Sequence, residues 1–167
     1  MKKINIFIAP VLLVLAFIAL LFFKYQKPLS QTQTIQEPVI SIGTVSGVNG
    51  STVDLPISFM AGTNEVSSLQ FDLSIPSGLG YISISKNVVA GKTVQANVMA
   101  DKLRVIVFDL NRTPINTGQI AVIKLKIASS VPNNAFNLNL SNILASSPDA
   151  TVVKASGLNG KIKVQPQ

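Results

Sequence analysis

Apolar and polar residues alternate with a period of two through most of the sequence, from about residue 39 to residue 164. Such alternation is typical of strands that bury one face and expose the other. The clearest alternating runs are 52–59, 67–75, 123–127, 136–140 and 161–164. Clusters rich in Gly, Pro and Asn separate them, at 47–50, 76–78, 116–118, 132–134 and 157–160. This pattern predicts an all-β fold, an antiparallel β-sandwich or jelly roll of about eight or nine short strands.

Pro56 stands on the polar side of the run 52–59. Proline has no N–H to give to a neighbouring strand, so within sheets it is normally confined to edge strands and bulges. The strand that contains Pro56 is therefore expected to lie at a sheet edge or to carry a bulge.

The N-terminal segment, residues 1–27, contains a 20-residue apolar run, 4–23, which only Asn5 and Pro10 interrupt. As a helix this run spans about 30 Å, the thickness of the hydrocarbon core of a bilayer. No small-residue cleavage site follows it, so residues 1–27 are predicted to be an uncleaved signal anchor with one transmembrane helix, rather than a removed signal peptide. A buried soluble helix is the other alternative, but a helix that is apolar on all sides needs a larger protein around it.

A polar stretch at 28–38 follows, and it is predicted to be a linker that Pro28 opens and Pro38 closes. The folded domain is then expected at 39–165. Lysines flank the apolar run on both sides in nearly equal number, so they do little to set its orientation. Because the body has the composition of a secreted domain, the predicted topology is single-pass, with a cytoplasmic N-terminus and the domain at the cell surface.

The formal net charge of +7 suggests an anionic partner until the basic residues are located. Four of the 14 Lys and Arg residues flank the apolar run, and the rest stand against 7 acidic residues in the body. Three basic pairs with a spacing of two place both charges on one strand face, where lysine normally protects an edge or meets solvent. These pairs are Lys102/Arg104, Lys124/Lys126 and Lys161/Lys163. They would bind an anion only if they converge, and without interleaved aromatic residues no nucleic-acid binding is expected.

The residues that most often carry catalysis are missing from the sequence. With no Cys and no His, the chain has no thiol nucleophile, no disulfide and no zinc site of the usual kind. Its acidic residues are scattered, and the pattern G-x-S-x-G does not occur. The tripeptide Gly-Lys-Thr at 91–93 resembles the end of a phosphate-binding loop. That motif also needs a glycine at the position of Lys86, so an ordinary loop is predicted. The sequence predicts a protein that is not an enzyme and takes no metal or cofactor.

Several segments, in their order and spacing, carry a resemblance to a known family. They are 40–47, 50–59 with its proline, 67–76, 103–109, 118–127 and 130–132. Together they resemble the cohesin domain, the module of cellulosomal scaffold proteins that binds dockerin modules, over nearly the whole of 39–165. The resemblance implies a nine-stranded jelly-roll sandwich, related to some carbohydrate-binding modules, with a dockerin-like protein as partner.

The resemblance also implies a partner-binding surface. Where many cohesins carry an Asn and an Asp on the third strand, this sequence has Ser68 and Gln70; a leucine and a glutamate of a later strand and its loop fall at Val107 and Leu110. The surface is therefore expected at Ser68, Gln70, Asp72, Val107 and Leu110. Because the first three alternate with apolar residues, their side chains are expected to point outward.

The sequence leaves three functions open. The first is a membrane-anchored, extracytoplasmic, cohesin-like module that attaches a protein partner at the cell surface. The second is direct binding of a polysaccharide or cell-wall glycan, which normally uses a row of exposed aromatic rings; Trp is absent, and Phe59, Phe71 and Phe136 are expected in the core. The third is a purely structural role in the cell envelope.

Overall fold

The computed structural model describes residues 35–86, 91–131 and 135–165. These ranges contain β-strands and no helix, so the predicted all-β class is confirmed for the part of the chain that the structure describes. The expected alternation is confirmed too, since Val53, Leu55, Ile57 and Phe59 are all buried while the residues between them are not. Within this part of the chain no helix is long and apolar enough to cross a membrane. The apolar run 4–23 lies outside it.

The described residues form thirteen strand segments, whereas nine strands were expected. Three runs are broken where the chain passes from one sheet to another, so the thirteen segments correspond to ten runs. The breaks fall at Gly43, Asn139 and Asn159. The segments are β1 (Val39–Ile42), β2 (Thr44–Val48), β3 (Thr52–Met60), β4 (Ser68–Ser74), β5 (Leu79–Lys86), β6 (Thr93–Met99), β7 (Lys102–Phe108), β8 (Gly118–Ile127), β9 (Ala135–Leu138), β10 (Leu140–Ser146), β11 (Val152–Val153), β12 (Ser156–Leu158) and β13 (Gly160–Gln165).

Three sheets contain these strands. The first has the order β12-β1-β3-β8-β5, the second β11-β10-β4-β7-β6 and the third β2-β13-β9. Apolar side chains of the first two sheets, among them Leu55, Ile123, Phe71 and Val105, are completely buried and belong to one core cluster. The result is a sandwich in which each strand gives one face to the core and the other to solvent.

Two ladders are parallel, which corrects the expectation of a wholly antiparallel sandwich. β1 pairs with β12 and β2 pairs with β13 in parallel, whereas the other ladders between described strands are antiparallel. The register continues unchanged across the break at Gly43, since Val39 is opposite Ser156 and Thr44 is opposite Lys161. The turn expected at 157–160 is wrong, because the chain does not reverse there. It continues from β12 to β13, which pair with β1 and β2.

Pro56 lies in an internal strand, so the edge position expected for it is wrong. The register shifts between Ile57 and Ser58, but the extra residue there is Ile120 of β8, so the bulge is not in the strand that contains Pro56. β1 ends at Ile42, which is opposite Ile57, and Gly43 N–H then donates to the Pro56 carbonyl at 2.9 Å. A regular antiparallel pair would have a second hydrogen bond, from the N–H of residue 56 to the Gly43 carbonyl, but proline has no N–H to donate. The Gly43 carbonyl instead accepts a long hydrogen bond, 3.4 Å, from the N–H of Lys161 in the third sheet.

Gly160 lies so close to Ile42 and the Gly43 carbonyl that a side chain there can be used as a test. A Cβ atom at Gly160 would lie 2.4 Å from Ile42 Cγ2 and 2.6 Å from the Gly43 carbonyl oxygen, so Gly160→Ala forces the backbone apart. We expect it to lower the free energy of unfolding by about 1–3 kcal/mol, measured by urea unfolding. Gly80→Ala is the matched control, because the nearest atom to its new Cβ is 3.8 Å away. Equal stability of the two variants would contradict the steric argument.

Candidate functional site

The outward side chains of β10, β4, β7 and β6 form one continuous surface of the second sheet, which we call the outer face. Ser68 and Gln70 of β4 lie on it, half-buried, and alternate with the core residues Leu69 and Phe71 as expected. The Ser68 hydroxyl is 2.7 Å from that of Ser146 on β10, so the two hydroxyls satisfy each other at this end of the face.

An apolar row crosses the middle of the outer face. Gln70 is opposite Leu144 on β10 and opposite Ile106 on β7. Leu144 is 59% exposed and Ile106 37% exposed, although both belong to regular strands. The row therefore offers two aliphatic side chains on either side of a neutral amide, without an ionised group.

Asp72 lies on the same side of β4 but is only 1% exposed, because neighbouring side chains cover it. Arg104 of β7, directly opposite, donates from Nε to Oδ1 at 2.7 Å and from Nη2 to Oδ2 at 2.9 Å. Asn142 donates to Oδ2 at 2.7 Å from the bulge of β10, where its φ is +49°. The hydrogen bond from Arg104, reinforced by Asn142 against the opposing effect of burial, lowers the pKa of Asp72 to about 2.

Val107 is not on the outer face, so its expected place in a partner-binding surface is wrong. It is completely buried and shares the core side of β7 with Leu103 and Val105. Its neighbours Ile106 and Phe108 face outward. In a strand, an alignment that is displaced by one residue moves a side chain to the opposite face.

Leu110 is the most exposed large apolar side chain of the described residues, at 94%. It lies just beyond β7, in the stretch that leads towards β8, and so at the end of the outer face. Leu110 and Ser68 thus lie at the same end of the second sheet, since β7 ends beside the start of β4. Gln70 lies on the outer face, and Asp72 is covered by Arg104 and Asn142.

Sequence reasoning missed Lys92, which precedes β6. A lysine in a loop normally meets solvent, yet the side chain of Lys92 is completely buried and its Nζ lies 3.0 Å from Oδ2 of Asp109. The hydrogen bond from the Thr113 hydroxyl, together with that from Lys92, lowers the pKa of Asp109. No local pattern signals this pair, since its two members are joined only by the pairing of β6 with β7.

The basic pairs that could have formed an anionic site do not converge. Lys102 and Arg104 belong to the second sheet, whereas the pairs 124/126 and 161/163 belong to the first and third. Within the described ranges, no three His, Cys, Asp or Glu side chains lie close enough to hold a metal ion.

The family model of the cohesin domain matches residues 38–164. Among solved structures, the chain is similar to the cohesin CaCohA2 of Clostridium acetobutylicum in complex with a variant of CaDoc0917, with 23% identity, a TM-score of 0.70 and coverage of 77% of this chain and 99% of that one. It is similar to the sixth cohesin of Acetivibrio cellulolyticus scaffoldin B, in complex with a mutant Cel5 dockerin, with 24% identity, a TM-score of 0.67 and coverage of 77% and 99%. A non-cellulosomal cohesin of the archaeon Archaeoglobus fulgidus is similar at 19% identity and TM-score 0.67, with coverage of 77% and 91%. A search of curated proteins gives no match.

The covered carboxylate of the outer face generates a prediction on pH. Because folding lowers the pKa of Asp72 from 3.8 to about 2, its contribution to stability is complete above about pH 4 and is lost as the pH falls towards 2. Asp72→Asn should lower the free energy of unfolding by about 2 kcal/mol at neutral pH. The gap between wild type and variant should close between about pH 4 and pH 2, as measured by urea unfolding.

Asp54→Asn is the control for this experiment. Asp54 pairs with Lys124 at 3.2 Å, but both side chains are largely exposed, so its loss should change stability by less than about 1 kcal/mol. A gap for Asp72→Asn that persists at the lowest pH would show that the carboxylate charge is not the cause.

Proposed function

The chain belongs to the cohesin domain family, and we propose that it is a membrane-anchored, extracytoplasmic binding module that holds a dockerin-like protein on its outer face. Support for a protein partner comes from the related cohesins of Acetivibrio and Clostridium thermocellum, which were crystallised in complex with dockerins. The observation that carries the proposal is the combination of the apolar row Leu144–Gln70–Ile106 with the exposed Leu110 beyond it.

The chemistry of this surface suits a protein better than a sugar. The described large apolar side chains that are exposed are Ile, Leu, Val and Met, and none is aromatic. Phe59, Phe71 and Phe136 are buried in the core, and Phe108 at the end of β7 is half-buried. Aliphatic side chains give apolar contact area without the flat ring that stacks on a sugar. Small polar groups such as Ser68 and Gln70 surround that area, as around the central contacts of many protein interfaces.

Glycan binding is the second candidate, and one feature of the third sheet favours it. A shallow concavity is lined by residues that include Asn137, Asn139 and Asn159 together with Lys161 and Lys163. Asn amides can both donate to and accept from sugar hydroxyls, and the lysines would suit an acidic sugar. Binding of a purified cell-wall glycan that Lys161→Ala abolishes and Leu110→Asp leaves intact would favour this second function.

The partner site is tested by Leu110→Asp in the full chain in detergent. Loss of apolar contact should weaken dockerin binding by about 1–3 kcal/mol, roughly 5- to 150-fold, with nearly unchanged thermal stability because Leu110 packs against little. The probes are purified dockerin modules of the source organism and the Cel5 dockerin of Acetivibrio, with affinity measured by calorimetry.

Leu158→Asp is the matched control. Leu158 is also exposed, at 61%, but belongs to β12 in the first sheet, so the change should leave dockerin affinity alone. If the wild-type chain binds none of the dockerins, the proposed function is contradicted. If the two variants lose equal amounts of dockerin affinity, the partner does not bind at the outer face.

Membrane attachment through residues 4–23 has its own test. The full chain should remain in the membrane fraction after an alkaline carbonate wash, because an apolar helix of this length is stable in a bilayer. A chain that lacks residues 4–23 should appear in the soluble fraction. Recovery of a soluble mature form that begins after Phe23 would show that the segment is a cleaved signal peptide.

A further inference from the structure

Lys92 is completely buried, and all three of its ammonium protons have an acceptor. Nζ lies 3.0 Å from Oδ2 of Asp109, and it donates to the Ser67 carbonyl at 3.1 Å and to the Thr113 carbonyl. Two of the three acceptors belong to residues 109–115, which we call the β7 loop, and the third belongs to the residue before β4. A buried charge with this complete set of partners costs less than an unpaired one, but it still loses its hydration.

The β7 loop is held at both ends. Asp109 directly follows β7, and its Oδ2 also accepts a hydrogen bond from the Thr113 hydroxyl, which closes the first part of the loop on itself. At the other end, Ile115 is buried in the core and its N–H donates to the Val66 carbonyl at 2.7 Å. Residues 110–112 lie between these two attachments and are exposed to solvent.

We infer that Lys92 is a positioning residue for partner binding: it fixes the β7 loop in the conformation that presents Leu110. This inference rests on the proposed function for the partner, while the loop itself can be tested without one. An exposed loop that is already ordered loses less conformational entropy when a partner binds, so its fixation raises affinity without a new contact.

Stabilisation of the sandwich alone would not require a lysine at this position. An apolar side chain of similar length could fill the same space, and the replacement of buried ion pairs by apolar residues is often neutral or stabilising. What an apolar residue cannot do is to bind Asp109 and the Thr113 carbonyl together. These are the two groups between which Leu110 projects.

The first test measures how readily the β7 loop opens, by the rate of trypsin cleavage after Arg112. Arg112 lies in the exposed part of the loop, with a φ of +53°. In Lys92→Met the carboxylate of Asp109 has lost its cation and turns to water, so cleavage after Arg112 should be faster by roughly ten-fold or more. Lys124→Met is the matched control, because it removes an exposed Lys–Asp pair in the first sheet. Mass spectrometry of the fragments identifies the cleavage site.

A second variant, Thr113→Val, separates opening of the loop from a general loss of folding. It removes the hydroxyl that closes the loop and leaves Lys92 in place, so it should speed the same cleavage without a large fall in thermal stability. Cleavage after Arg112 at the wild-type rate in both variants would overturn the inference. Cleavage of Lys92→Met at sites throughout the chain, with Thr113→Val unchanged, would overturn it as well, since Lys92 would then support only the fold.

The second test asks whether Lys92 acts through Leu110, with the Cel5 dockerin and the dockerins of the source organism as probes. Lys92→Met should weaken binding roughly ten-fold, and in combination with Leu110→Asp it should add little to the loss that Leu110→Asp causes alone. Fully additive losses would overturn the positioning role. If the wild type binds none of these dockerins, the proposed function fails, and the cleavage experiment still decides whether Lys92 fixes the loop.

Discussion

The sandwich depends on one crossing, at which the first and last strands of the domain move together from the first sheet to the third. β1 and β2 keep a single parallel register with β12 and β13 through this crossing. Pro56 makes it possible from one side, because the bond it cannot donate leaves the Gly43 carbonyl for Lys161. Gly160 makes it possible from the other side, since any side chain there would collide with that carbonyl. Contacts between residues far apart in sequence thus close the domain.

Burial separates the ion pairs of the domain into two kinds. Lys124–Asp54 and Lys154–Glu37 are largely exposed, and pairs of this kind contribute little to stability. At least one partner is buried in each of the other two pairs, Asp72–Arg104 and Lys92–Asp109. The first pair belongs to the second sheet, and the second joins the residues that directly precede β6 and follow β7. The buried charges therefore organise the surface that we propose for partner binding. They fix a guanidinium in its centre and a loop at its end.

The limits of prediction from the sequence can be traced to particular residues. Alternation identified the core side of β3 and β4 because polar residues such as Gln70 and Asp54 mark the opposite side. In β7 the stretch around Val107 is apolar on both sides, so an alignment with distant relatives could place a core residue on the surface. Lys92 gave no signal, because its burial depends on acceptors, such as Asp109, that only the pairing of β6 with β7 and the packing of the loop after β7 bring near.

The outer face carries little net charge, and this has a consequence for recognition. Arg104 neutralises Asp72, and Lys102 at the start of β7 adds one positive charge, while Ser68, Gln70, Ile106 and Leu144 carry none. Under the function proposed above, a partner would gain little from long-range electrostatic attraction, which mainly sets the association rate. Affinity would come from the fit of aliphatic side chains and neutral hydrogen bonds, which require the surface to hold its shape before the partner arrives. Under the same proposal, the covered Asp72–Arg104 pair and the Lys92–Asp109 pair beside the loop would meet this requirement, since exposed pairs leave their side chains free to move.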